Sequence, residues 1–289
     1  MQEYIYFILL AAGLAVIAKS ADLVVGSTSK LAKGIGVPVY IIGLTVVAFG
    51  TSIPELVVAV LSGVSHANRL SLGNVIGSSA ANTALIIGVS AIIYPFSVTR
   101  PVVYREVPMS FLAQLILLAM VSIGGVLSRV DGIILLLLFA LFLLHIGINT
   151  LQPQDTHKNT EDGRKIIEGG KLLKPLLLIA IGAAGLFAGG RIIVDSSIRI
   201  AAIFGLSETL IGVTIVAIGT TMPELVTNII AALRKESGII MGNCIGSNIF
   251  NILLVLGVTS VIYPIDIPKD IHIDLIIVLV STLMLQPWE

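Results

Sequence analysis

The chain has 289 residues, 56% hydrophobic and only 12% charged, and its mean hydropathy is +1.05. A soluble domain carries about twice that share of charge to solvate its surface, so the composition points to a polytopic membrane protein in contact with a lipid bilayer. Seventeen basic and seventeen acidic residues cancel, which implies no nucleic acid or acidic partner. With a single cysteine, Cys244, an internal disulfide and a multi-cysteine metal cluster are excluded.

Hydropathy predicts a first helix over 4–27. No basic residue precedes it, so it reads as a membrane helix and not as a secretory leader. Further helices are predicted at 38–63, 71–94, 107–127 and 130–150. A polar stretch, 151–173, follows, and then apolar runs at 174–200, 206–232, 239–262 and 271–285. Glycines and prolines punctuate them, among others Gly36, Pro38, Pro95, Pro101, Pro108, Pro264 and Pro268. The expected organisation is a five-helix unit at 1–150, a linker at 151–173, and a four-helix unit at 174–289.

The sequence repeats itself. GLTVVAFGTSIPELV at 43–57 matches GVTIVAIGTTMPELV at 212–226 in 10 of 15 positions. GNVIGSSAANTALIIG at 73–88 matches GNCIGSNIFNILLVLG at 242–257 in 8 of 16. Both pairs lie 169 residues apart, without insertion or deletion. An odd number of spans before the linker turns the second unit over relative to the first, the inverted plan of many secondary transporters. Lys30, Lys33, Arg100, Arg105, Lys158, Arg164, Lys165, Lys171, Lys174, Arg234 and Lys235 fall in one set of loops. Only Arg69, Arg129, Arg199 and Lys269 fall in the other. The first set is therefore expected in the cytoplasm, with the linker, and the N-terminus outside. Shifted by the same offset, the fifth helix would recur at about 299–319, beyond residue 289; a tenth helix is expected to be missing and the ninth clipped.

Each copy places one glutamate, Glu55 or Glu224, in an otherwise uncharged apolar run. An unpaired carboxylate there costs several kcal/mol, and intramembrane acids are functional by default. Oxygen donors surround the first: Thr45, Thr51, Ser52, Ser78, Ser79 and Asn82. The second has Thr214, Thr220, Thr221, Ser247, Asn248 and Asn251. Hydroxyl, amide and carboxylate oxygens are ligands for hard cations such as Ca²⁺ and Na⁺. Ser78 and Asn82, Ser247 and Asn251, Thr51 and Glu55, and Thr220 and Glu224 are each four apart, so each pair shares a helical face. Pro54 and Pro223 remove a donor and displace the carbonyls of Gly50 and Gly219, which predicts two kinked helices. The two carboxylates would balance one Ca²⁺ or two Na⁺.

Other polar residues read as structural. Lys19 with Asp22, and Arg191 with Asp195, can pair along their own helices. His145 reads as a packing residue, Cys244 as a small apolar filler, and Asp266 to Asp274 as an outer loop. The glycines at 34–36 follow no strand, so they are not a dinucleotide fingerprint. No HExxH, catalytic aspartate pair or serine–lysine dyad is present, so no enzyme and no bound cofactor are expected.

The paired GTSIPEL and GTTMPEL segments, each followed by GN..IGS and an asparagine, resemble the two alpha-repeats of the sodium/calcium exchangers, within the cation/calcium exchanger superfamily. The resemblance covers essentially the whole chain. It implies an all-α fold of two inverted five-helix repeats and a calcium/sodium antiporter that alternates between outward-open and inward-open states, its first and sixth helices moving. It implies that Glu55 and Glu224 are ligands shared by Ca²⁺ and Na⁺. Thr51, Ser52, Ser78 and Asn82 would complete one half of the site, and Thr220, Thr221, Ser247 and Asn251 the other. The carbonyls of Ala48 and Ala217 would serve Na⁺. Many members carry Asp where this chain has Asn251, and Ser79 replaces a common Asn. A proton-coupled or K⁺-dependent antiporter is the alternative, and a channel the next. No obligate protein partner is implied.

Overall fold

The computed structural model describes residues 2–64, 68–151, 172–203, 217–268 and 271–286. They form nine helical segments: α1 Gln2–Ile35, α2 Val39–Thr51 continued by Ile53–Val64, α3 Ser71–Ile93, α4 Val102–Ile123, α5 Arg129–Leu151, α6 Leu173–Ile203, α7 Ala217–Leu233, α8 Ser237–Ile262 and α9 Ile271–Leu283. Six of these are long and apolar enough to cross a bilayer, seven with α2 counted as one broken span. The protein is an all-α polytopic membrane protein. The second-repeat helices α6 to α9 stand 169 residues after α1 to α4.

Local chemistry explains where helices depart from the hydropathy limits. α1 runs eight residues past the predicted residue 27, through Ser27–Ser29, Lys30 and Lys33, because polar residues end an apolar run without ending a helix. Gly36, at φ 71°, stops it, and the Val37 amide bonds back to the Ala32 carbonyl at 3.0 Å. α4 begins at Val102 and not at 107. Its charged opening, Val102–Glu106, is a π-helical turn, and Pro108 falls in the first turn of the α-helix that follows. There a missing N–H costs little. The predicted linker at 151–173 and the start of α7 lie largely outside the described residues.

The kink predicted from proline is present in the first copy. α2 bends by 43° at Ser52, whose ψ of 4° leaves the helical range. The equivalent Thr221 sits in an uninterrupted helix that carries Pro223 inside it. Both copies share another irregularity. Ala81–Ile86 in α3 and Phe250–Leu256 in α8 are π-helical stretches, each holding the repeat's asparagine, Asn82 or Asn251. Such bulges are frequent at functional positions.

Two short strands, β1 Val126–Leu127 after α4 and β2 Ile265–Asp266 before α9, pair antiparallel. The C-terminal end of α4 therefore meets the N-terminal end of α9, so these equivalent helices run in opposite directions. At the other end, Arg234 Nε donates to Asp22 at 2.9 Å and Ser29 donates to Glu236 at 2.7 Å.

α8 is the central helix: 78% of its most apolar window is buried, against 22% for α5. Its Gly238, Gly242 and Gly246 let the backbone approach α2. A methyl at Gly242 would lie 2.3 Å from the Tyr40 carbonyl oxygen, and one at Gly246 2.4 Å from that of Leu44. α1 and α6 pack against each other across Gly13, Gly182, Gly185 and Gly189. Their shared face, with Ile17, Ala21, Val24, Leu186 and Ile193, also buries Val47 of α2.

Candidate functional site

Side chains of α2, α3, α7 and α8 bring the two glutamates and several of the predicted oxygens together, joined by hydrogen bonds. Glu55 is fully buried and Glu224 is 1% exposed. Thr51, Ser52, Ser78, Asn82, Thr220, Thr221, Ser247 and Asn251 are all buried as well.

The hydrogen bonds cross between repeats. Ser78 Oγ donates to Glu55 Oε1 at 3.2 Å within the first repeat, while Ser52 Oγ of that repeat donates to Glu224 Oε1 at 3.4 Å. Thr51 Oγ1 donates to Asn243 Oδ1 at 3.1 Å, and Thr220 Oγ1 to Asn74 Oδ1 at 3.0 Å. These last two bonds are equivalents under the 169-residue offset. Ser247 Oγ lies 3.4 Å from Thr51 Oγ1. Asn82 Nδ2 donates to Asn248 Oδ1 at 3.1 Å, and Asn248 Nδ2 to Thr83 Oγ1 at 2.7 Å. Together these bonds set the position of almost every side chain around the carboxylates.

What remains unbonded is as ordered as what is bonded. Among the described residues Glu55 Oε2, Glu224 Oε2, Asn82 Oδ1 and Asn251 Oδ1 are buried and have no hydrogen-bond partner. That is one carboxylate and one amide oxygen from each repeat. Leaving a buried polar atom unsatisfied costs about 1–3 kcal/mol, and more for a charged one. Four acceptors left bare together suit a hard cation, which replaces several donors at once. Asn251 Nδ2 is also unpartnered among the described residues.

The carbonyl predictions fare differently. Ala48 is buried, but its oxygen accepts the Ser52 amide at 3.0 Å and Thr51 Oγ1 at 3.3 Å. Ala217 lies in the first turn described for α7. Thr221 Oγ1 donates to the Ile218 carbonyl at 3.0 Å. Thr45 Oγ1 bonds its own helix at the Ile41 carbonyl, and Thr214 lies outside the described residues.

Asn74 and Asn243, which orient the two threonines, were not among the predicted site residues. Their signal was present: both repeats carry GN, four residues before the site serine and hence on its face. Of the two charge pairs read as self-neutralising, Arg191 and Asp195 approach to 3.8 Å on an exposed surface. Asp22 instead pairs with Arg234, the residue after α7. Cys244 is a buried filler, as expected, and accepts from Asn228 Nδ2 at 3.4 Å.

Buried oxygens contributed by two copies of a repeat in a helical membrane protein suit the transport of cations. The chain belongs to the sodium/calcium exchanger protein family, whose profile matches residues 5–147 and 174–286. It is 36% identical to the inner membrane protein YrbG of Escherichia coli over 96% of this chain and 87% of that one. It is 31% identical to the sodium/calcium exchanger MaX1 of Methanosarcina acetivorans, over 91% and 85%. The fold matches a solved structure of the sodium–calcium exchanger NCX_Mj with a TM-score of 0.83 and 31% identity, across 99% of this chain and 89% of that one.

Proposed function

We propose that the protein is a secondary antiporter exchanging Ca²⁺ for Na⁺ across the cell membrane, with both ions held in turn at the cage centred on Glu55 and Glu224. The four unpartnered oxygens carry the proposal. Two carboxylates supply −2, which balances one Ca²⁺ or two Na⁺, so one ion species displaces the other without leaving a bare charge at membrane depth. The amide oxygens favour metal cations over protons as the exchanged species. A proton needs only the carboxylates, whereas Asn82 Oδ1 and Asn251 Oδ1 would stay unsatisfied with protonated glutamates. Ser78 and Ser52 hold each carboxylate by one oxygen and leave the other for the ion. Thr51, Thr220, Thr221 and Ser247 complete the set.

The repeats form two inverted units, 1–150 and 174–289, with the 151–173 linker in the cytoplasm and the N-terminus outside. Alternating access arises when α1 and α6 slide together over the frame of α2, α3, α7 and α8. Uptake of radioactive Ca²⁺ into proteoliposomes under imposed Na⁺, K⁺ or pH gradients tests the reading. A Na⁺ gradient should drive uptake, and Glu55→Gln and Glu224→Gln should each lower it about a hundredfold, as expected for removing one charge from a buried charged set. Uptake driven by a pH gradient alone would transfer the protein to the proton-coupled reading. Persistence of Na⁺-driven uptake in both variants would remove the glutamates from the site.

A further inference from the structure

The repeats are equivalent at the glutamates and unlike one turn beyond them. In α7, Thr227 and Asn228 follow Glu224 by three and four residues and so share its face. The equivalent positions after Glu55 are Val58 and Ala59. On the facing helix, Cys244 of α8 corresponds to Val75 of α3. Thr227, Asn228 and Asn243 are fully buried, and each keeps a polar atom without a partner among the described residues: Thr227 Oγ1, Asn228 Oδ1 and Asn243 Nδ2.

The hydrogen bonds show how the asymmetry arises. In the first repeat Asn74 Nδ2 donates to the Glu55 carbonyl at 3.5 Å. In the second, the matching acceptor, the Glu224 carbonyl, is taken by Asn228 Nδ2 at 3.0 Å. Asn243 Nδ2 is thereby released, and Asn228 Oδ1 is fixed beside the cage. α7 ends at Leu233, just before Arg234 and Lys235, so Thr227 and Asn228 lie between the cage and that end of the helix. The outward counterpart, Val58, Ala59 and Val75, offers no side-chain oxygen.

We infer that Thr227 Oγ1 and Asn228 Oδ1, with Glu224, form a second cation-binding position on the Arg234 side of the cage, which holds a partly hydrated Ca²⁺ or Na⁺ as it passes between the cage and the cytoplasm. Two bare oxygens serve the ion, and the bare Asn243 N–H serves a water of its shell; an apolar lining could do neither. The equivalent residues of the first repeat, Val58, Ala59 and Val75, supply no such oxygens towards the outer face. This rests on the proposed exchange at the cage.

The test measures the apparent KM for Ca²⁺ in Na⁺-loaded inside-out and right-side-out membrane vesicles. Thr227→Val and Asn228→Leu should each raise KM at the cytoplasmic face about tenfold, equivalent to about 1.4 kcal/mol. KM at the outer face should change less than about twofold. Asn228→Asp, which keeps the size and adds charge, should lower KM at the cytoplasmic face alone. Equal shifts at both faces, no shift at either, or loss of transport at both faces overturn the inner position. Wild-type vesicles that show no Na⁺-driven uptake, or a Glu224→Gln variant that retains it, would instead overturn the exchange reading itself.

Discussion

The contact between α8 and α2 and the contact between α1–α6 and the rest of the bundle are built in opposite ways. α8 meets α2 backbone to backbone. Gly242 and Gly246 lie so close to Tyr40, Leu44 and Ala48 that neither helix can shift by a fraction of a turn without collision. The α1–α6 pair meets the same frame chiefly through side chains: Ile17, Ala21, Val24, Leu186 and Ile193 set against Val47, Met222, Val226 and Ile230, with Ala183 and Val194 seated on Gly50 and Gly219. Apolar contact of this kind is non-directional and survives sliding. A site that must stay intact while access alternates needs one interface of each type.

The largest expected effect comes from joining the two regions. Ala21 of α1 and Val47 of α2 lie in one buried cluster, so cysteines placed at both would be joined with a bifunctional thiol reagent. The background would be Cys244→Val, which installs the residue the first repeat carries at Val75. Cross-linking should lower Na⁺-driven Ca²⁺ uptake more than about tenfold, and reduction should restore it. Unimpaired transport in the cross-linked protein would end the view that α1 slides over α2.

A smaller effect follows from loosening the rigid interface. A methyl at Gly246 would stand 2.4 Å from the Leu44 carbonyl oxygen and 2.7 Å from Ala48 Cβ. Backbone cannot rotate aside as a side chain can, so Gly246→Ala should destabilise by about 1–3 kcal/mol. Gly88 on α3 meets nothing within 4 Å, and Gly88→Ala should be neutral or stabilising by up to about 1 kcal/mol through helix propensity. Thermal unfolding in detergent compares the two. Equal melting temperatures would mean that the α2–α8 contact is more compliant than its geometry indicates.

Which of these features could be read from the sequence depends on how local their causes are. The repeat, the antiparallel plan and the glutamates were legible, because a carboxylate in an apolar run is costly wherever the chain folds. The serines, asparagines and threonines around them followed from four-residue spacing on the same helices. The roles of Asn74, Asn243 and Asn228 were not legible. Asn243 accepts from Thr51 in the other repeat, and Asn228 competes for a carbonyl on its own helix, so both depend on how the halves dock. The break at Ser52 was equally hidden, since nothing in the chemistry of Pro54 alone fixes where α2 opens. The pairing of Asp22 with Arg234 joins residues 212 apart, beyond the reach of any spacing rule.

That ion pair is where the sliding pair and the frame are joined by charge, and it should give the smallest effect. Asp22 and Arg234 are 51% and 42% exposed, so solvent screens the attraction, and such pairs contribute at most about 1 kcal/mol. If the pair pins α1 to α7 in this state, Asp22→Asn should weaken the pin without touching the cage. The initial rate of Na⁺-driven Ca²⁺ uptake should then rise about twofold, the KM should stay the same, and the difference should shrink as an inert salt is raised. A slower rate would show that the pair stabilises the transition between states, which would make it part of the moving contact and not a latch upon it.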